Sequence, residues 1–284
     1  MDVSQKDCCM KRVTAVCLLA LALAACKKEA TPPPAANAPA TPATLPAPVA
    51  TDDGAVELKE VVETTPNYVV GITYDTQAAK YPGLARELKR FADGARAELV
   101  ESANGRTAKE NPSPYELSLT FNDVLDSPEM VAVSADGSSY TGGAHAAPLI
   151  ARFVWLPKQN KLLKANELIP QKAGWDAVSR YVREQLHSAL SQRIDADDPE
   201  PAVRAEQMET GARMIDDGTG ADAANFAMFE PIKAADGKLT GLKFVFAPYE
   251  VGPYSDGTQM VEVPAAVLLP HVAPEYRTLF VGGV

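Results

Sequence analysis

The chain has 284 residues, 46% of them hydrophobic, with 27 basic against 37 acidic side chains and a net charge of −10. That balance argues against nucleic-acid binding, because phosphates are repelled, and it favours basic protein partners. It also keeps a protein soluble whatever its partner.

The first element is a secretory signal. Met10-Lys11-Arg12 precedes a 13-residue apolar run, Val13 to Ala25, and Met10 reads as a more natural start than Met1. The run is too short for a membrane span, which needs about 20 apolar residues. Leu23-Ala24-Ala25-Cys26 resembles the lipobox of bacterial lipoproteins. The resemblance implies cleavage before Cys26, acylation of its thiol and anchoring of the mature chain in a membrane. Lys27 behind it fits the outer membrane, facing the periplasm. Cys8, Cys9 and Cys17 then fall in the discarded segment, so no disulfide, thiol nucleophile or cysteine metal site remains. Residues 1–25 carry three basic and two acidic side chains, so losing that net +1 takes −10 to −11.

Residues 26–54 form the next unit. Between Ala30 and Thr51 the chain is almost all Ala, Pro and Thr, with seven prolines. Such a segment cannot build a core and favours extended polyproline conformation. At about 3.1 Å per residue it reaches roughly 70 Å, which suits a tether between membrane and folded body.

The body follows, expected as two subdomains over 55–135 and 136–284. Tyr68–Asp75, rich in β-branched and aromatic residues, reads as a strand. Pro82 opens a helix whose Leu84, Leu88, Phe91, Ala95 and Leu99 share a face. Strands are expected at Tyr115–Phe121, Met130–Ser134 and Leu149–Leu156, with a polar turn at Pro157–Lys161. A second helix spans Trp175–Leu190, with Trp175, Val178, Val182, Leu186 and Ala189 on its apolar side. Strands return at Phe226–Ile232, Leu242–Phe246 and Gln259–Val263. The pattern is α+β: antiparallel sheets with helices packed on one face.

Chemistry-bearing motifs are sparse. Asp195–Asp222 holds nine acidic residues, but neither of its acidic clusters has EF-hand spacing, so it reads as a solvated, partly helical connection. His187 lies among polar helix positions and reads as solvated; His271 has no acidic neighbour in sequence. HExxH, GxSxG, P-loop and dinucleotide motifs are missing, and no metal or cofactor is implied. Two runs stand out. Tyr140-Thr141-Gly142-Gly143-Ala144-His145 joins two strands, as a glycine bulge or as a ligand loop. Phe246 to Pro264 carries Tyr249 and Tyr254 among prolines and glycines, as recognition residues or as plugs beneath a loop.

These two runs, with Leu162-Leu163-Lys164-Ala165-Asn166-Glu167-Leu168-Ile169 between them, resemble the extracellular domain of RsiV-like lysozyme-sensing anti-sigma factors. They also resemble the non-catalytic part of PdaC-like peptidoglycan deacetylases. The likeness runs from about Tyr68 to Phe280 and implies an α+β envelope module. It does not bring the sigma-binding segment or the deacetylase domain with it. The chain is therefore expected to be a lipid-anchored binding protein without catalytic activity, recognising a lysozyme-like protein or peptidoglycan. Tyr140, Gly142, Gly143, His145, Tyr249 and Tyr254 are its candidate ligand residues. The alternative is an envelope enzyme acting on peptidoglycan, of deacetylase or hydrolase type, with carboxylates drawn from distant positions.

Replacing Cys26 by Ala is expected to abolish labelling by a fatty-acid probe and to release the protein from membranes. A labelled, membrane-bound C26A protein would overturn the lipobox assignment.

Overall fold

The computed structural model describes residues 54–105 and 113–284. The expected signal peptide, the expected lipid site at Cys26 and the expected linker through residue 53 lie outside the described residues.

β1 (Val61–Thr64) and β2 (Tyr68–Asp75) pair antiparallel, and α1 (Pro82–Asn104) follows. Pro82 stands in the first turn of α1, where its missing N–H has no helical partner to lose. Three long strands come next: β3 (Tyr115–Asp126), β4 (Val131–Tyr140) and β5 (Ala147–Leu156). A 3-10 turn at Pro157–Gln159 leads to the short β6 (Lys161–Leu162). These six strands form one sheet in sequence order. All its pairings are antiparallel except β2 with β3, which run parallel because α1 carries the chain back to its starting edge.

The helical part holds α2 (Ala165–Leu168), α3 (Lys172–Ala196) and α4 (Pro201–Gly218). A three-stranded antiparallel sheet follows, with β7 (Phe229–Lys233), β8 (Leu239–Phe246) and β9 (Gln259–Pro264). The short helices α5 (Ala265–Leu268) and α6 (Pro274–Arg277) close the chain. No helix among the described residues is long and apolar enough to cross a membrane.

The large sheet serves two cores. Along β4, Val131, Val133 and Ala135 face α1, while Met130 just before the strand and Ala132 within it face the other way. Their partners on β5 divide alike: Trp155, Phe153 and Ala151 on one face, Val154 and Leu156 on the other. In the first core Phe91 of α1 meets Phe121 and Phe153 edge-on, at 6.3 and 5.9 Å between ring centres. In the second, Trp175 stacks on Phe226 at 5.4 Å and donates its indole N–H to the Ile169 carbonyl at 2.9 Å.

Several sequence expectations are corrected by this packing. The boundary expected after residue 135 falls inside β4, which is hydrogen-bonded along both edges; the described residues from Gly54 on belong to one compact unit. Phe226 is no strand residue. It sits on a 3-10 turn, Ala223–Phe226, as a plug between Trp175 and Phe244. The apolar stripe of α3 continues through Leu190 and Ile194, whereas Ala189 is exposed. The acidic connection is largely the 18-residue α4, seated on α3 where Gly211 admits Leu190.

A buried ion pair links the two sheets. Arg152 of β5 has a side chain only 3% exposed, and its guanidinium meets Glu230 of β7 and Asp136 of β4. One terminal nitrogen hydrogen-bonds Asp136 at 2.9 Å and the Ala151 carbonyl at 2.9 Å. Nε faces Glu230 at ion-pair distance but off hydrogen-bond angle, so the attraction there is electrostatic. Removing one partner of a buried pair leaves the other charge uncompensated, at a cost of about 3–5 kcal/mol. Glu230→Ala should lie near the low end, about 3 kcal/mol, because Asp136 remains; Lys89→Ala, in an exposed pair with Asp93, should cost under about 1 kcal/mol. Urea unfolding of the two variants measures the difference, and equal losses would show that Arg152 does not join the sheets.

Candidate functional site

The β4–β5 connection turns on two glycines. Gly142 and Gly143 have φ of 94° and 103°, in the region that side chains with a Cβ avoid. Tyr140, at the end of β4, caps the turn by donating its hydroxyl to the Gly143 carbonyl at 3.2 Å. His145, two residues beyond this turn in the connection between β4 and β5, is exposed.

The β8–β9 connection, residues 247–258, arrives from the other sheet. Its first turn runs Ala247-Pro248-Tyr249-Glu250, with the Glu250 N–H donating to the Ala247 carbonyl at 3.0 Å. Proline at the second position and positive φ at the third define a type II turn, where glycine is the usual third residue. Here that residue is Tyr249, with φ of 76° and 40% exposure. A bulky side chain in that region costs of order 1–3 kcal/mol. Tyr254 lies on a 3-10 turn, Tyr254–Asp256, further along.

The fold brings these two loops together. The His145 ring stacks on Tyr254 with centres 4.5 Å apart and planes 19° from parallel. Tyr249 lies against Tyr254 at 5.6 Å, tilted by 39°. Residues some hundred positions apart in sequence thus build one aromatic corner on the surface. Tyr140, Gly142 and Gly143 belong to it as the turn that delivers His145; the Tyr140 hydroxyl bonds back to Gly143, and its backbone pairs with Glu116 of β3.

The residues that hold the corner carry no motif in the sequence. Glu250 accepts the Ala247 N–H at 2.7 Å, and the Tyr249 N–H reaches the Gly252 carbonyl at 3.0 Å. Asp256 pairs with Arg193 of α3 at 2.7 Å, which ties the second half of the loop to the helix. The only signal for this turn was Pro248, since nothing in a sequence announces a tyrosine at positive φ. Two other histidines are placed differently. His187 is not simply solvated: its Nε2 lies 3.4 Å from Asp216 of α4, which also pairs with Arg183. His271 packs against Gly174 at the start of α3. A shallow groove of about 580 Å³ beside Arg86, Lys89, Arg90 and Asp93 of α1 is lined by none of the six candidate residues.

A family model described as "Protein of unknown function (DUF3298)" matches residues 169–266, which span α3, α4, the three-stranded sheet and the Tyr249–Tyr254 loop. No curated protein matches the chain. Among solved structures, a DUF3298 family protein from Pseudomonas aeruginosa PAO1 is 17% identical, with 78% of this chain and 93% of that one covered at a TM-score of 0.47. A DUF3298 member from Bacteroides fragilis NCTC 9343 is 13% identical, with 76% and 92% covered and a TM-score of 0.42.

Burial pushes the Glu250 carboxyl above its ordinary pKa of 4.5, and the Ala247 N–H only partly offsets this. The folded state therefore holds this proton more tightly than the unfolded chain. That contribution to stability is complete below pH 4.5 and is lost as pH rises through the raised value. Glu250→Gln keeps an acceptor for Ala247 but does not titrate. Its melting temperature relative to wild type should climb between about pH 4 and pH 7, as read by scanning calorimetry; a pH-independent difference would show that the carboxyl is not desolvated.

Proposed function

We propose that this chain is a lipid-anchored cell-envelope protein, held through Cys26, that binds its ligand at the His145–Tyr254–Tyr249 corner without catalysing a reaction. The observation that carries this is the aromatic corner itself. Two loops from different sheets converge on the surface, and one of them keeps an exposed tyrosine in a backbone conformation that costs stability. Strain of that kind collects at ligand-contacting positions. Exposed tyrosines bring large, rigid contact area at low entropy cost. The two acidic groups of the loop are already engaged, Glu250 with a backbone N–H and Asp256 with Arg193, which supports recognition rather than acid–base work at this place.

The partner proposed first is a basic, lysozyme-like protein. Net charge of −10 draws such a partner by long-range attraction that salt weakens. The resemblance to lysozyme-sensing modules supports the same choice, and peptidoglycan is the second ligand to try. In calorimetry, the Cys26→Ala protein should bind hen lysozyme at low salt and more weakly at physiological salt. His145→Ala should weaken binding about tenfold while the melting temperature stays put, because His145 is exposed. No heat with lysozyme or with purified peptidoglycan would sink the binding reading. Acetate release from peptidoglycan that His145→Ala removes would replace it with an enzyme.

A further inference from the structure

The strained turn at Tyr249 needs something to hold it. Released from its surroundings, a tyrosine at φ 76° would relax to negative φ. Hydrogen bonds inside the loop do not suffice as the cause, since Glu250, Ala247 and Gly252 all belong to the same short segment and can move with it. Beside the core burial of Val251, an external contact comes from the C-terminal end of α4. There Gly218 lies so close beneath the loop that a Cβ at this position would collide with the Glu250 carbonyl oxygen and carbon, and would crowd a Val251 methyl at 2.9 Å.

That end of α4 is itself fixed. Thr219, fully buried, donates its hydroxyl to the Ile215 carbonyl at 2.6 Å, and its own carbonyl accepts the hydroxyl of Ser179 on α3. Arg183, also on α3, pairs with Asp216 at 3.0 Å and donates from Nε to the Thr219 hydroxyl at 3.3 Å. α3 is in turn embedded in the second core through Val178, Val182 and Leu186. The second tether of the loop, Asp256 with Arg193, ends on the same helix.

We infer that Gly218 is a positioning residue for the aromatic corner: the end of α4, braced by Ser179 and Arg183, presses the Glu250 carbonyl into place and thereby keeps Tyr249 in its left-handed turn with the ring presented outward. The recognition role of the ring rests on the function proposed above; the bracing does not, and it can be tested without any ligand. The loop is then preformed, so a ligand meets Tyr249 already ordered and the entropy of fixing it is not charged to binding.

The test is a double-mutant cycle in the Cys26→Ala protein, with Tyr249→Gly and Gly218→Ala. Tyr249→Gly removes the strain and should raise the melting temperature by roughly 2–4 °C. Gly218→Ala should displace the loop, so that Tyr249→Gly brings no rise in that background. Amide exchange at Tyr249, whose N–H is bonded to Gly252, should quicken in Gly218→Ala while Phe244 and Val261 of the sheet stay protected. Ser179→Ala, a milder loosening of the same brace, should quicken exchange at Tyr249 in the same direction and serves if Gly218→Ala does not fold. An equal rise from Tyr249→Gly in both backgrounds, or unchanged exchange at Tyr249 in both brace variants, would overturn the inference. Failure of lysozyme to bind, with the coupling present, would instead refute only the proposed partner.

Discussion

The two-residue alternation along β4 and β5 is the constraint on which the rest of the structure depends. Side chains at successive positions leave a strand on opposite faces, so a strand buried on both sides must be apolar at every position. Met130 to Val133 and Phe153 to Leu156 satisfy this, and each alternate set belongs to a different hydrophobic cluster. One wall therefore supports α1 on one face and the α3–α4 and three-stranded layer on the other. A one-residue slip of β5 would exchange the two cores and expel Arg152 from its partners.

Arg152 gives that wall a polar joint. Its side chain points into the second layer, where an unpaired charge would be intolerable, and it finds Glu230 on the first strand of the small sheet. Such a pair adds less to net stability than its Coulomb attraction suggests, because both charges lose water. Its consequence is placement: β7 is held over β5, and the small sheet is set at a fixed position on the large one. The β8–β9 loop, carried by that small sheet, then reaches the end of the β4–β5 hairpin.

The aromatic corner is a product of this placement. His145 comes from one sheet and Tyr254 from the other, so their stacking at 4.5 Å depends on how the sheets are joined. α3 contributes to both ends of the same arrangement, through Arg193 to Asp256 and through Ser179 and Arg183 to the end of α4. Core packing and the shape of the surface loop are thus mechanically continuous.

Local sequence determined much of the framework. Strand β2 has the limits expected from its β-branched run, and α1 begins at Pro82 with Leu84, Leu88, Phe91 and Leu99 buried, because periodicity and proline chemistry act over neighbouring residues. The two runs holding Tyr140 to His145 and Tyr249 to Tyr254 stood out for the same reason, through glycine and proline in unusual density. Elements whose limits depend on partners were less legible: β4 reaches Tyr140 because β3 pairs with it there, through Glu116, and Phe226 left its strand to fill the space beside Trp175. Only the tertiary structure decided that the two runs meet, that Tyr249 occupies a turn position fit for glycine, and that Gly218 lies beneath it. These are long-range contacts, and backbone strain at one residue is held by packing from elsewhere in the chain, which no local pattern records.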